Sequence, residues 1–166
     1  MAEISRFSLC YDGDEDRIAW DMIDADGATM RLWLTQKLCR GLVGALGAML
    51  EKRTAAGSAP ERRAALNAFE QAAAMARFGK VAGVTPGADA PGGLVRAVHI
   101  DPSDRGLGFR FDFGEGETRT LGVDIAAVRQ TLAVMRRLHA AAAWPADFWP
   151  AWIADPATAA DAGALN

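Results

Sequence analysis

Polar and apolar positions alternate with period two along the first part of the chain and then change to a helical period. Phe7, Leu9 and Tyr11 alternate with Ser8 and Cys10, which predicts a half-buried strand over roughly Ile4 to Tyr11. Asp12-Gly13-Asp14-Glu15-Asp16 is a charged turn. A second strand follows, with Ile18, Trp20 and Met22 on one face and Ala19 and Asp21 on the other. Asp24-Ala25-Asp26-Gly27 predicts a hairpin, because Asp-Gly tolerates the positive φ that tight turns need. A third strand points Met30, Leu32 and Leu34 inward and Arg31 and Trp33 outward. Thr35 caps the helix that follows. That helix reaches about Arg53, with Leu38, Leu42, Leu46 and Met49 as its apolar stripe. Gly41, Gly44 and Gly47 recur on another face. Each costs a helix interior about 1 kcal/mol relative to alanine, so close approach of a second backbone is expected there.

Thr54 to Ala59 is a small-residue linker. Ser58 and Glu61 have capping-box spacing, and Pro60 suits a first helical turn. The second helix runs to about Phe78, with Leu66, Phe69 and Ala73 expected in the core and Gly79 as its stop. Lys80 to Gly93 is one long irregular stretch, a length that often carries function. A fourth strand is expected from Leu94 to Asp101. A fifth points Leu107, Phe109, Phe111 and Phe113 one way, and Gly114-Glu115-Gly116 turns it onto a sixth carrying Leu121 and Val123. Asp124 caps a last helix with a stripe of Val128, Leu132, Met135, Leu138 and Ala142. Arg129, Arg136 and Arg137 are expected to face water.

The fold class is therefore α+β. Antiparallel sheets, sandwich-like, carry a helical pair inserted mid-chain and a C-terminal helix. Residues 1–143 make one domain, 144–153 an aromatic docking tail, and 154–166 a disordered end.

Composition narrows the function classes. The chain has 166 residues, 51% of them hydrophobic and 23% charged, enough for one domain with a sizeable core. A net charge of -3 gives no reason to expect nucleic acid or an anionic membrane as partner. Its longest apolar run, Gly41 to Leu50, is half of what a bilayer span needs. Cys10 and Cys39 are too few for a disulfide framework, and the start has no signal core, so a cytoplasmic setting is expected. Heavy use of alanine, arginine and glycine with little lysine suggests a bacterial source.

No catalytic set stands out, and no cofactor is expected. Asp12, Asp14 and Asp16 open like a calcium loop, but Arg17 stands where a glycine should bend it and Ile23 where a glutamate should close it. His99 and His139 have no ligand-spaced partner. Arg40 could lower the pKa of Cys39 if that thiol were exposed, whereas a buried one would be inert. No serine sits in a nucleophile elbow, and the helix glycines match neither a dinucleotide nor a phosphate loop.

The strongest candidate is the tail. Trp144, Phe148, Trp149 and Trp152 are costly to leave in water, since each aromatic can bury about 150–250 Å². Two readings stand: the tail folds back to complete its own core, or it meets a partner. With Arg136 and Arg137 beside it, the tail is expected to bind a protein partner or a second copy of the chain. The function expected is a non-enzymatic interaction or scaffold domain that self-associates. The alternative is a small-molecule binding protein or enzyme with a pocket beneath the 80–93 loop.

The element order of three strands, two helices, three strands and a long helix resembles the head domain shared by the scaffold proteins of DNA end joining and the centriolar cartwheel protein. The resemblance covers about residues 3 to 143. It implies an antiparallel β-sandwich with an inserted helical pair and a C-terminal helix leading into a dimeric coiled coil; this chain departs from it in having no heptad stalk after Trp144, and the resemblance assigns no site residue here.

Overall fold

The alternating segments at the start of the chain form a meander, and the Asp-Gly turn is one of its corners. In the computed structural model, which describes residues 4–54, 57–79, 83–87 and 89–153, β1 (Ile4–Asp12), β2 (Arg17–Asp24) and β3 (Thr29–Leu34) pair antiparallel in sequence order. Gly27 sits at φ +87°, and Asp24 Oδ1 accepts from the amides of Asp26 and Ala28 to hold the turn. β3 runs into α1 (Gln36–Thr54), where Thr35 Oγ1 accepts from the Leu38 amide as the cap predicts. α2 (Pro60–Ala76) follows. Its proline sits in the first turn as expected, but its N-cap is Ala59, with no side-chain cap bond. Arg77 is its C-cap, so Gly79 lies beyond the stop.

The expected fourth strand is two strands. β4 (Gly92–Leu94) runs parallel to β3 at the edge of the first sheet. β5 (Ala97–Pro102) belongs to a second sheet with β6 (Gly106–Gly114) and β7 (Glu117–Asp124). The chain changes sheets between two adjacent residues: the Val95 amide donates to Trp33 O, and the Arg96 amide donates to Asp112 O. A Cβ at Gly92 would lie 2.5 Å from Arg31 O, so only glycine lets β4 approach β3. No glycine, proline or other turn residue marks the break between Leu94 and Ile100, so both strands read as one.

The inward faces of the two sheets meet in one core. Trp20 lies edge-on to Phe109 and Phe111, at 5.8 and 5.2 Å between ring centroids. Around them pack Ile18, Met22, Leu32 and Leu34 from the first sheet and Leu107 and Leu121 from the second. Helix α1 adds Cys39, Leu42, Val43, Leu46 and Leu50, leaving Leu38 and Met49 half-buried at the rim of the stripe. α3 (Ile125–Ala141), capped by Asp124 through the Ala127 amide, adds Val128, Leu132 and Met135. The architecture is α+β, two sheets rich in antiparallel pairing with two helices mid-chain and one at the C-terminal side. The segment expected to be disordered, 154–166, lies outside the described residues.

Candidate functional site

The aromatic tail lies against its own domain. Trp144 and Trp152 are buried, and Phe148 and Trp149 are half-buried. Two indole N–H groups anchor it: Trp144 donates to Asp16 Oδ1 and Trp152 to Glu51 Oε1, both at 2.8 Å. Three arginines face its rings, Arg40 over Phe148 at 4.9 Å, Arg129 over Trp152 at 5.3 Å and Arg136 over Trp149 at 5.4 Å. Such contacts each contribute about 0.5–2 kcal/mol, more when desolvated. Gly47 makes room for the tail, since a Cβ there would lie 2.9 Å from the Pro150 ring. Gly41 and Gly44 have nothing within 4 Å of that position, so the expected approach of a second backbone is absent along this face.

Two of the three arginines expected in water are buried. Arg129 is 2% exposed and Arg136 9%; only Arg137 faces solvent. Arg129 is covered by α2, which docks on α3 through polar side chains, and Arg136 lies against the Trp149 ring of the tail. Arg129 Nη2 donates to Thr54 Oγ1, Asn67 Oδ1 and Glu70 Oε2, and Gln71 Nε2 donates to Arg129 O. Burial pulls the Arg129 pKa down and the Glu70 carboxylate opposes that pull. A guanidinium out of water is tolerated only with such partners.

α2 is therefore rotated from its expected orientation. Asn67, Gln71 and Ala74 are its buried residues, Leu66 and Ala73 are half-buried, and Phe69, expected in the core, is 73% exposed. Ala65, Phe69, Ala72 and Ala76 are all exposed and spaced 4, 3 and 4 apart, the spacing of a helix-pairing seam. Ala68 lies beside them and is also exposed. No charged residue interrupts this stripe from Ala65 to Ala76. A phenylalanine standing out of a field of alanines is both a knob and, between those alanines, a hole.

The remaining candidates have structural work. Asp12 Oδ1 accepts from the Asp14 and Glu15 amides, and Asp16, at φ +50°, accepts from Tyr11 Oη at 2.8 Å as well as from Trp144. Among the described residues no group of His, Cys, Asp and Glu could hold a metal. Cys39 is buried, and desolvation pushes its thiol up to about 12, an unreactive value. His139 is fully buried, ringed by Trp144, Phe148 and Trp149 at 5.0 to 5.7 Å. Its Nδ1 donates to Met135 O at 2.9 Å. Burial first, and the Arg136 charge after it, pull its pKa below the ordinary value, while the Met135 carbonyl pulls the other way. It is a neutral core histidine, where the helix dipole alone would favour the cation.

Beneath the stretch between Lys80 and Gly93, a cavity of about 440 Å³ is lined by Arg31, Trp33, Pro86, Gly87, Ala90, Gly92 and Gly93. Residues 80–82 and 88 of that stretch lie outside the described residues. Arg31 is committed to Asp21 by two bonds of 2.7 and 2.9 Å and stacks 5.2 Å over Trp33, which is half-buried. Among the described residues no helix is long and apolar enough to cross a membrane.

The missed element is the α2 stripe. Its signal was present: Asn67 and Gln71 share one helical face, and Ala65, Phe69, Ala72 and Ala76 share the opposite one. Comparison with protein-family models, curated proteins and solved structures finds no match for this chain.

Proposed function

We propose that this is a non-enzymatic interaction domain of a bacterial cytoplasmic protein, and that it pairs with a second copy of itself across the outer face of α2. One observation carries the reading: Phe69, 73% exposed, stands in a stripe of alanines with pairing spacing. A two-fold pair needs a surface that is its own complement. Here each copy offers Phe69 to the space between Ala65, Ala68 and Ala72 of the other. Helix-seam packing of this kind puts a knob into a hole made by four facing residues. Two free cysteines suit a reducing compartment.

The strength is bounded by size. A helix of 17 residues is about 25 Å long, and one helix pair covers less than the ~800 Å² per partner of a standard interface. The pair is therefore weak and concentration-dependent. Light scattering is expected to show mass rising above 17.6 kDa with concentration. Phe69→Glu should hold the protein at the monomer mass without lowering its melting temperature. A wild-type chain that stays monomeric throughout, or a Phe69→Glu variant that still pairs, overturns the proposal.

A further inference from the structure

The turn that lays the aromatic tail back over the domain is strained. Ala143, just after α3, sits at φ +53°, the left-handed region that favours glycine. Two backbone bonds hold it there: the Ala143 amide donates to Ala140 O and the Trp144 amide to His139 O. Bonds of this pattern close a helix end around a glycine, and here an alanine stands in its place.

His139 is tied to the tail twice. Its carbonyl accepts from the Trp144 amide, and its ring lies among Trp144, Phe148 and Trp149. Because Nδ1 donates to Met135 O, Nε2 is the atom left to take a proton. Among the described residues Nε2 is buried without a hydrogen-bond partner, so no acceptor waits for the N–H that protonation would create. The charge that acts on the ring from its own helix has the wrong sign: Arg136, 5.4 Å over the Trp149 ring. Tyr11 and Asp16, from the turn between β1 and β2, meet Trp144. Arg40 of α1 lies over Phe148 and pairs with Asp147, and Glu51 of α1 accepts from Trp152. A protonated ring at this place reaches water most directly by lifting the three rings of the tail.

We infer that residues 144–153 form an acid-released cover: protonation of His139 at Nε2 opens the Ala143 turn and lifts the aromatic tail, while the two sheets and α1 to α3 stay folded. The closed state is favoured while His139 is neutral. Burial, and after it the Arg136 charge, lower the pKa of the covered ring, so the open state binds the proton more readily and acid drives the opening. What opens is a segment with three tryptophans, a residue type that anchors interfaces.

The test is fluorine NMR of the full chain carrying fluorotryptophan, with the His139 ring followed by proton NMR, from about pH 7.5 down to about pH 5. The signals of Trp144, Trp149 and Trp152 are expected to move together below about pH 6.5, as His139 takes its proton, while those of Trp20 and Trp33 stay in place. His139→Gln should remove this dependence on pH. Ala143→Gly should move the midpoint down by about half a pH unit, because glycine relieves the turn of the closed state. The inference is overturned if the three signals stay in place over this range, or if Trp20 moves with them. Movement that persists in His139→Gln overturns it by assigning the release to Asp16 and Glu51, and so does an unmoved midpoint in Ala143→Gly. A His139 that titrates above the ordinary value overturns it as well, since the rings would then favour the cation.

Discussion

Helices α1 and α2 are neighbours in the chain and meet the rest of the molecule with opposite chemistry. α1 buries Leu42, Val43, Leu46 and Leu50 and exposes Gly41 and Gly44. α2 buries Asn67 and Gln71 and exposes Phe69. The first follows the usual order, with apolar area removed from water as the driving term. The second is docked by hydrogen bonds to Arg129 and Gln130 of α3, and that leaves Phe69 and its alanine stripe uncovered within the monomer. A helix held by its polar side is free to offer its apolar side to something else.

The comparison breaks most sharply at its two anchors. Leu46→Ala should cost about 2–5 kcal/mol through the cavity it leaves. Arg129→Met should cost about 3 kcal/mol, because Asn67, Thr54 and Glu70 lose the donor they share. The two losses differ in kind. Adding Glu70→Leu to Arg129→Met should recover part of the loss, since both charges then leave the junction, whereas no partner change rescues Leu46→Ala. Urea unfolding measures both. Equal, unrecoverable losses at the two anchors would mean that α2 is held by packing after all.

The glycines of α1 sharpen the contrast at smaller scale. Gly41→Ala and Gly44→Ala should each raise stability by about 1 kcal/mol, because propensity improves and a Cβ meets nothing within 4 Å. Gly47→Ala should lower it, because the new methyl meets the Pro150 ring at 2.9 Å. Melting temperatures of the three variants decide the point. A gain at all three would show that the tail does not rest on α1.

His139 tests the cost of polar burial over a narrow pH window. Its pKa in the folded chain lies below the ordinary value near 6.5, so the unfolded chain binds the proton more readily. The groups facing it are the Met135 carbonyl, the Arg136 cation and the rings of Trp144, Phe148 and Trp149. Stability from this site should be complete above that ordinary value and decline as pH falls below it, towards the lower folded value. His139→Gln should remove this part of the decline. Unfolding curves on either side of about pH 6.5 check it, and a parent chain that gains stability on acidification through that range would contradict the neutral assignment.

Strands and caps were legible because their signals are local. Phe109 and Phe111 lie in one alternating run, Thr35 and Asp124 cap the helices they precede, and Gly27 turns the second hairpin. The sheet switch at Val95–Arg96 was not legible, because no glycine, proline or turn residue marks the point where the chain leaves one sheet for the other. The orientation of α2 was misread for a related reason. Hydrophobicity alone puts Leu66, Phe69 and Ala73 on its inner face, whereas the acceptors Asn67 and Glu70 have a partner in Arg129, 62 and 59 residues away. A buried arginine and its acceptors are separately indistinguishable from a solvated face, and only the fold brings them together.

The indole bond from Trp144 to Asp16 joins residues 128 positions apart. A contact of that span is made late, since the loop it closes must be ordered before the contact stabilises anything. During synthesis the first hairpin is complete long before its cover exists. Tyr11 and the turn at Asp16 then wait in water until the segment around Trp144 has been made. The domain's slowest and last step should thus be the laying down of this tail, and its first step on unfolding the tail's release.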